Sequence, residues 1–272
     1  MLAAVTLFGT VRVAAIQATP VILDAEASVQ KAVRLIGEAA DGGAELAVLP
    51  ETFVPLYPSG GWAKQAAGFD GFDELWERLW ANSVDVPGPL VDELAAACSE
   101  HEIHCAIGVN ERESERPGSL YNSMLLIGPG GLICWENRMP LARYRVYRSG
   151  PQIWVAPTAD DSDGWIASMR HIAIESGAFV VSVPQYIPRA AFPEDFPAEL
   201  PDYEVFGRGG AAIIEPGEGD LIAGPLYDEE GIVFADCDLN LGLHAKRWFD
   251  SVGHYSRDDV VVGEVEFELD PA

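Results

Sequence analysis

Lysine is scarce in this chain of 272 residues, which has only Lys31, Lys64 and Lys246. With 17 basic against 43 acidic residues, the formal net charge is −26 at pH 7. A surface this acidic repels the phosphates of nucleic acids, so no nucleic-acid partner is expected. The same repulsion acts within the molecule, and dissolved salt screens it. The composition favours a protein adapted to a salt-rich cytoplasm, the alternative being an acidic protein with an ordinary salt requirement.

Cysteine is also rare. Its four positions, Cys98, Cys105, Cys134 and Cys237, do not form the dense framework of a small secreted disulfide protein. No C-x-x-C pair or Cys/His cluster indicates a zinc site, so no metal is expected. The sequence therefore favours a reducing cytoplasm.

Long apolar runs are missing as well. No stretch of about 18 apolar residues is present, so no membrane span is expected. The first ten residues lack the basic region of a signal peptide and lead straight into a strand pattern.

Short apolar runs and amphipathic segments predict an α/β protein. A first strand is expected at Val11–Thr19, followed by a helix that Asp24 caps and Gly42-Gly43 ends, and a strand at Glu45–Pro50. Further helices are predicted at 72–80, 90–101, 140–148 and 165–176, and further strands at 103–109, 121–127, 132–135, 153–156, 179–183, 211–214, 221–223 and 232–237. Residues 184–201 are a predicted Pro-rich loop. This order favours sheets with helices on their outer faces, in one domain over 1–272 with a core of about 11–262 and an acidic tail.

Cys134 lies at the end of a predicted buried strand, just before a predicted helix. Strand ends are where α/β proteins place reactive groups, and Trp135, Glu136 and Asn137 would be costly to bury there without partners. The alternative is a small, inert core residue, which is common for free cysteine.

Glu51 likewise ends an apolar strand, Ala44 to Glu51, and could act as the general base for a thiol. Its alternative role is that of a helix cap or one surface acid among 43. His171 offers a different base for a cysteine nucleophile, although a polar helix face explains it equally well. The glycine-rich segments Gly128–Gly131 and Gly207–Gly210 do not match a P-loop, and we predict that both are turns.

Several separated motifs, in order, resemble the nitrilase branch of the carbon–nitrogen hydrolases. They are Leu49-Pro-Glu-Thr-Phe53, Cys134-Trp-Glu-Asn137, Val155-Ala-Pro-Thr158, Ala167-Ser-Met-Arg-His171, Ala223-Gly-Pro-Leu226 and Val252-Gly-His-Tyr-Ser256. The resemblance implies a four-layer αββα sandwich that dimerises to αββααββα, without metal or organic cofactor. It also implies that Cys134 is the nucleophile and Glu51 the base. The expected reaction converts a nitrile, through a cysteine thioimidate and thioester, to a carboxylic acid and ammonia.

The chain departs from the family at its catalytic lysine. That lysine lies between the strand matching Tyr121–Ile127 and the strand with the cysteine, whereas here Gly128-Pro-Gly-Gly131 joins them directly. Arg138 or Arg143 could supply positive charge, but a guanidinium is not a proton donor at ordinary pH. Three explanations stay open: the sequence omits a loop of the natural protein, the deletion is natural and the protein inactive, or a partner chain completes the site.

The expected activity is therefore a nitrilase. The alternatives are an inactive protein of the same fold that binds small nitriles or amides or pairs with an intact homologue, and an amidase of the same superfamily. The substrate-binding residues are predicted to be Tyr57, Trp135, Glu136 and Trp165. Together with Trp62, their aromatic rings could line an apolar pocket suited to aryl or arylalkyl nitriles, the alternative being that some of them are core residues. A homodimer or larger homo-oligomer is expected.

Overall fold

A computed structural model describes residues 8–56, 72–113, 115–116, 118–132 and 140–257. In chain order, its strands are β1 (Thr10–Gln17), β2 (Leu46–Val48), β3 (His104–Arg112), β4 (Leu120–Gly128), β5 (Gly131–Leu132), β6 (Ile153–Thr158), β7 (Phe179–Pro184), β8 (Tyr186–Pro188), β9 (Val205–Ile214), β10 (Leu221–Tyr227) and β11 (Gly231–Asp238). Its helices are α1 (Ala25–Asp41), α2 (Phe72–Ala81), α3 (Pro89–Glu100), α4 (Pro140–Arg148), α5 (Asp163–Ser176) and α6 (Asn240–Lys246).

The strands form two mixed sheets. Sheet A has the order β11-β1-β2-β3-β4-β5, with β1, β2 and β3 parallel and the other neighbours antiparallel. Sheet B has the order β10-β9-β7-β6, in which only β6 and β7 are parallel, and β8 pairs with β9 beside it. Each parallel pair is connected through a helix, as the alternating sequence pattern predicts.

Three apolar layers hold the sheets and helices together. Between the sheets, Val48 and Ala106 of sheet A meet Val181 and Ile213 of sheet B. The opposite face of sheet A is covered by α1 and α3, and the opposite face of sheet B by α4 and α5. The order is thus helix, sheet, sheet, helix, and the αββα sandwich expected from the sequence is confirmed.

Local sequence signals explain the helix ends. The Asp24 carboxylate accepts a hydrogen bond from Ala27 N at 2.9 Å and caps α1, as predicted. Ser162 caps α5 by accepting from Trp165 N, and Gly177 ends that helix with a left-handed φ of 64°. Of the predicted elements, α4 at 140–148 agrees residue for residue with the structure.

Two predictions about loops were wrong. Gly207–Gly210 is not a turn but part of β9, where Gly209 has a φ of 80° and Gly210 a φ of 128°. These values need glycine, and they bring the Gly210 and Ala211 N–H groups onto Gln17 Oε1, at 2.7 and 2.9 Å. The Pro-rich loop also contains β8, because its backbone pairs with the long strand β9.

Candidate active site

The structure describes two of the six predicted site residues, Glu51 and Trp165. The other four, Tyr57, Cys134, Trp135 and Glu136, lie outside the described residues. The geometry of the site is therefore built from Glu51 and the elements around it.

Glu51 stands just past β2, in a bulge of residues 51–53 that lies against Gly108 of β3. Gly108 N donates to Pro50 O at 3.1 Å, and Val54 N donates to Gly108 O at 3.3 Å, so the strands rejoin on either side of the bulge. Thr52 inside the bulge is buried and has a φ of 43°, which is unusual for a β-branched residue. Such local strain is typical of positions that hold a functional side chain.

The Glu51 carboxylate lies where the two sheets meet. Asn122 of β4, in sheet A, donates its Nδ2 to Glu51 Oε1 at 2.6 Å. Ala159, the residue after β6 of sheet B, donates its backbone N–H to Oε2 at 2.7 Å. These two donors, one on each oxygen, orient the carboxylate. An ionised, oriented carboxylate is the form that can accept a proton from a thiol or from water.

The backbone of Glu51 is fixed from the opposite sheet. Gln185, which follows β7 and is only 3% exposed, donates its Nε2 to the Glu51 carbonyl at 2.8 Å. Sequence reasoning missed Asn122, Ala159 and Gln185. For Asn122 and Gln185, the available signal was their position near the ends of predicted strands, which they share with Glu51.

The loop that supplies the Ala159 N–H is held by Arg208 of β9. The Arg208 backbone N–H donates to Asp161 Oδ2 at 2.8 Å, its Nε to Asp161 O at 2.9 Å, and its Nη2 to Asp163 Oδ1 at 2.6 Å. The guanidinium also stacks over the Tyr227 ring, 4.6 Å from its centroid. Strand β9 therefore fixes the loop that carries the Ala159 N–H.

Trp165 lies in the helical layer over sheet B. Its side chain is 4% exposed and belongs to the apolar cluster of α4, α5 and the outer face of sheet B. Its Nε1 donates to Ser182 Oγ on β7 at 2.8 Å. These contacts explain its burial, and its role in substrate binding stays a prediction.

Three cations named in the sequence analysis have defined neighbours in the structure. Lys31 binds Glu230 at 2.6 Å, and the aliphatic stem of Lys246 lies against Gly177. Arg143 lies 3.7 Å from Glu175 on α5. His171, the alternative base, is largely exposed and lies 3.8 Å from that same carboxylate, as expected of a polar helix face.

The described cysteines are free and buried. Burial and the nearby Asp236 raise the pKa of Cys237 to about 12, so its thiol stays protonated at neutral pH. Within the described ranges, no group of three or more His, Cys, Asp and Glu side chains could hold a metal ion. Nor does any helix there have the length and apolarity needed to cross a bilayer.

The hairpin of β4 and β5 leads toward the residues around Cys134. Pro129 and Gly130 form a two-residue turn, with Gly128 paired to Gly131 and Ile127 to Leu132, which confirms the predicted turn. Because β5 is antiparallel to β4, its chain runs toward the end of sheet A at which Asn122 and Glu51 lie. Leu132 is the last described residue before Pro140.

Comparison with known families gives a consistent result. The sequence profile of the family "Carbon-nitrogen hydrolase" matches this chain in two segments, residues 12–133 and 129–247. The two matches overlap at the β4–β5 hairpin, so the family profile aligns with this chain in two pieces that are separated there.

Characterised relatives are similar over most of their length. Nitrilase 1 of Arabidopsis thaliana is 36% identical, over 93% of this chain and 86% of its own. An aliphatic nitrilase of Sinorhizobium fredii is 38% identical, over 92% of this chain and 93% of its own. These alignments span 306 and 292 positions, more than the 272 residues of this chain, so each relative has residues without a counterpart here.

Solved structures share the fold at low identity. The carbon–nitrogen hydrolase of Helicobacter pylori superposes with a TM-score of 0.67 at 14% identity, over 92% of this chain and 97% of its own. Saccharomyces cerevisiae Nit3, of the nitrilase superfamily, superposes with a TM-score of 0.65 at 16% identity, over 93% and 98%.

Proposed function

Since the chain belongs to the nitrilase branch of the carbon–nitrogen hydrolase family, we propose that it hydrolyses a nitrile to a carboxylic acid and ammonia. In this proposal Cys134 is the nucleophile and Glu51 the general base. The observation that carries the proposal is the Glu51 carboxylate, which two neutral N–H donors hold between the ends of the two sheets.

The proposed reaction begins with proton transfer from the Cys134 thiol to Glu51. The thiolate attacks the nitrile carbon, and the nitrile nitrogen takes up the proton to give a thioimidate. Water then adds to this carbon, ammonia leaves, and a thioester remains. A second water releases the carboxylic acid and restores the thiol, with Glu51 carrying the protons in each step.

The direction of β5 supports this pairing of residues. Cys134 is the second residue after Leu132, and β5 runs toward the end of sheet A that carries Glu51. A cysteine that follows β5 by two residues in the chain and a carboxylate at that end of sheet A are a suitable nucleophile and base. The aromatic residues Tyr57, Trp135 and Trp165, with Glu136, are proposed to bind the substrate, which we expect to be an aryl nitrile.

The missing lysine sets an expectation for the rate. Loss of one group that stabilises developing charge typically slows an enzyme by about 10²–10³-fold. We therefore propose a slow nitrilase. An additional cation from a partner chain, or from a loop that the sequence omits, would restore the rate.

Ammonia release tests this proposal. Purified protein in concentrated KCl is given benzonitrile or benzamide, beside the variants Cys134→Ala and Glu51→Gln. We expect ammonia from the nitrile in excess of that from the amide, and its loss in both variants. The matched controls, Cys98→Ala and the exposed surface change Glu93→Gln, should retain the activity. Faster release from benzamide would instead assign the chain to the amidases.

A second candidate is an inactive protein of the same fold. The two-residue β4–β5 turn favours it, as do the two profile matches that meet there and the relatives' additional residues. Thiol labelling at neutral pH separates the candidates. An active site predicts that Cys134 reacts first and that substrate protects it, because Cys98, Cys105 and Cys237 are buried. Slow, equal labelling of all four cysteines would favour the inactive protein. A separate measurement, the intact mass of the natural protein, tests the remaining explanation. A mass larger than 29.3 kDa would indicate an omitted loop.

The oligomeric state of the protein and its cellular compartment are also proposals. A homodimer or larger homo-oligomer follows from the family resemblance, and exposed aromatic side chains at Trp248 and Tyr255 are compatible with an interface. Sedimentation of the purified protein tests it, since a monomer at micromolar concentration would contradict it. The free thiols of the described cysteines are compatible with a reducing cytoplasm.

A further inference from the structure

Asn122 is a polar residue at a position where its strand otherwise carries apolar side chains. On β4, Leu125 and Ile127 face the helices over sheet A, whereas Met124 and Leu126 face sheet B. By the two-residue period of a strand, Asn122 shares the face of Met124 and Leu126. It lies at the exposed end of this inner face, opposite Asn110 of β3.

The hydrogen bond between Asn122 and Glu51 has a defined direction, with the amide as the donor. A carboxylate oxygen only accepts hydrogen bonds, so the amide must turn its Nδ2 toward Glu51, and the two atoms are 2.6 Å apart. The other carboxylate oxygen is fixed by the Ala159 N–H at 2.7 Å. One donor on each oxygen sets the plane of the carboxylate, which a single donor would leave free to rotate.

The hydrogen bond also favours one charge state of Glu51. An amide N–H that donates to a carboxylate oxygen stabilises the ionised form relative to the protonated form. The surroundings of Asn122 do not compel an asparagine, because its side chain is exposed and fills no core space. The hydrogen bond to the Glu51 carboxylate therefore explains why an asparagine occupies this position.

We propose that Asn122 is a positioning residue for Glu51, which keeps the carboxylate ionised and in a fixed orientation. The inference rests on the proposed function for its catalytic meaning, but its structural content can be measured without turnover. Asn122 does not touch the reacting atoms in this account and acts through Glu51.

The first experiment follows the Glu51 carboxylate directly. Protein with ¹³C-labelled glutamate carboxyl groups is titrated by NMR, and the Glu51 signal is assigned by its loss in Glu51→Gln. We expect Asn122→Ala to move the Glu51 midpoint to higher pH by about one unit, and Asn122→Asp to move it further, because a second carboxylate repels the first. The control Asn82→Ala, whose Nδ2 bonds Arg78 O on α2, should leave the midpoint unchanged.

The second experiment uses turnover. Asn122→Ala should lower kcat by roughly tenfold or more, with KM little changed and the acidic limb of the pH–rate profile moved to higher pH. An unchanged Glu51 midpoint in both Asn122 variants would overturn the inference whatever the activity. A shifted midpoint in a protein without any turnover would support the inference and contradict the proposed function, so the two failures are distinguishable.

Discussion

Gly108 leaves no room for a side chain, because the backbone of Glu51 occupies the space. A Cβ at position 108 would lie 2.6 Å from Glu51 Cα, and it would also collide with Thr52 N. The bulge that presents Glu51 is thus seated directly on a glycine of the neighbouring strand. Backbone atoms on both sides cannot turn away as a flexible side chain can.

The substitution Gly108→Ala should therefore displace Glu51. We expect a loss of about 1–3 kcal/mol in the free energy of unfolding, as for other overpacked sites. Because a shift of about 1 Å in a catalytic group can cost ~10²-fold in rate, nitrile hydrolysis should fall to near background. Urea unfolding and ammonia release measure both effects. Gly9→Ala is the matched control, since nothing lies within 4 Å of a Cβ there; equal behaviour of the two variants would refute the explanation.

Trp165 offers a test between a structural and a substrate-binding role. Trp165→Phe removes the donor to the fully buried Ser182 Oγ, which should cost about 1–3 kcal/mol of stability. Ser182→Ala in the same protein should recover part of this loss, because it removes the unsatisfied hydroxyl. If Trp165 also contacts substrate, KM for an aryl nitrile rises in the Phe variant and stays raised in the double variant. An unchanged KM would restrict the residue to the core.

Glu230 should contribute to stability in a pH-dependent way. Burial opposes ionisation of its carboxyl, but the Lys31 ammonium and the Thr19 N–H outweigh it and lower the pKa of Glu230 below its usual value. A lowered pKa stabilises the fold above the unfolded-state pKa of ~4.3, and this contribution disappears as the pH falls through the folded-state pKa. Wild type should exceed Glu230→Gln in stability at pH 7, and the two should converge in acid. A constant difference down to low pH would contradict this.

Salt should stabilise the protein as a whole. Individual ion pairs, such as the bidentate contact of Arg112 with Asp85, weaken as ionic strength rises. The net charge of −26 acts in the opposite direction, because salt screens the repulsion among acidic groups. If repulsion dominates, the melting temperature climbs steadily between low and molar KCl. A flat or falling curve would rule out adaptation to a salt-rich environment.

The sequence predicted the elements better than their contacts. Helical and strand periods located most elements to within a few residues, since each period depends on neighbours in the chain. Strand β9 was predicted too short because its first half is held by β8 and Gln17, which local patterns do not reveal. The same limit applies to the site. Glu51 was found as a strand-end carboxylate, whereas its partners Asn122, Ala159 and Gln185 lie 71, 108 and 134 residues away.

The central claim is that Cys134 forms a covalent intermediate with a nitrile while Glu51 moves the protons. The most direct measurement is acid quenching of the protein during turnover of benzonitrile in concentrated KCl, followed by mass spectrometry of its peptides. The account predicts an adduct of the nitrile on the peptide with Cys134, absent from Cys134→Ala and formed far more slowly in Glu51→Gln. A folded protein that never forms this adduct, or an adduct on a different cysteine, would contradict it.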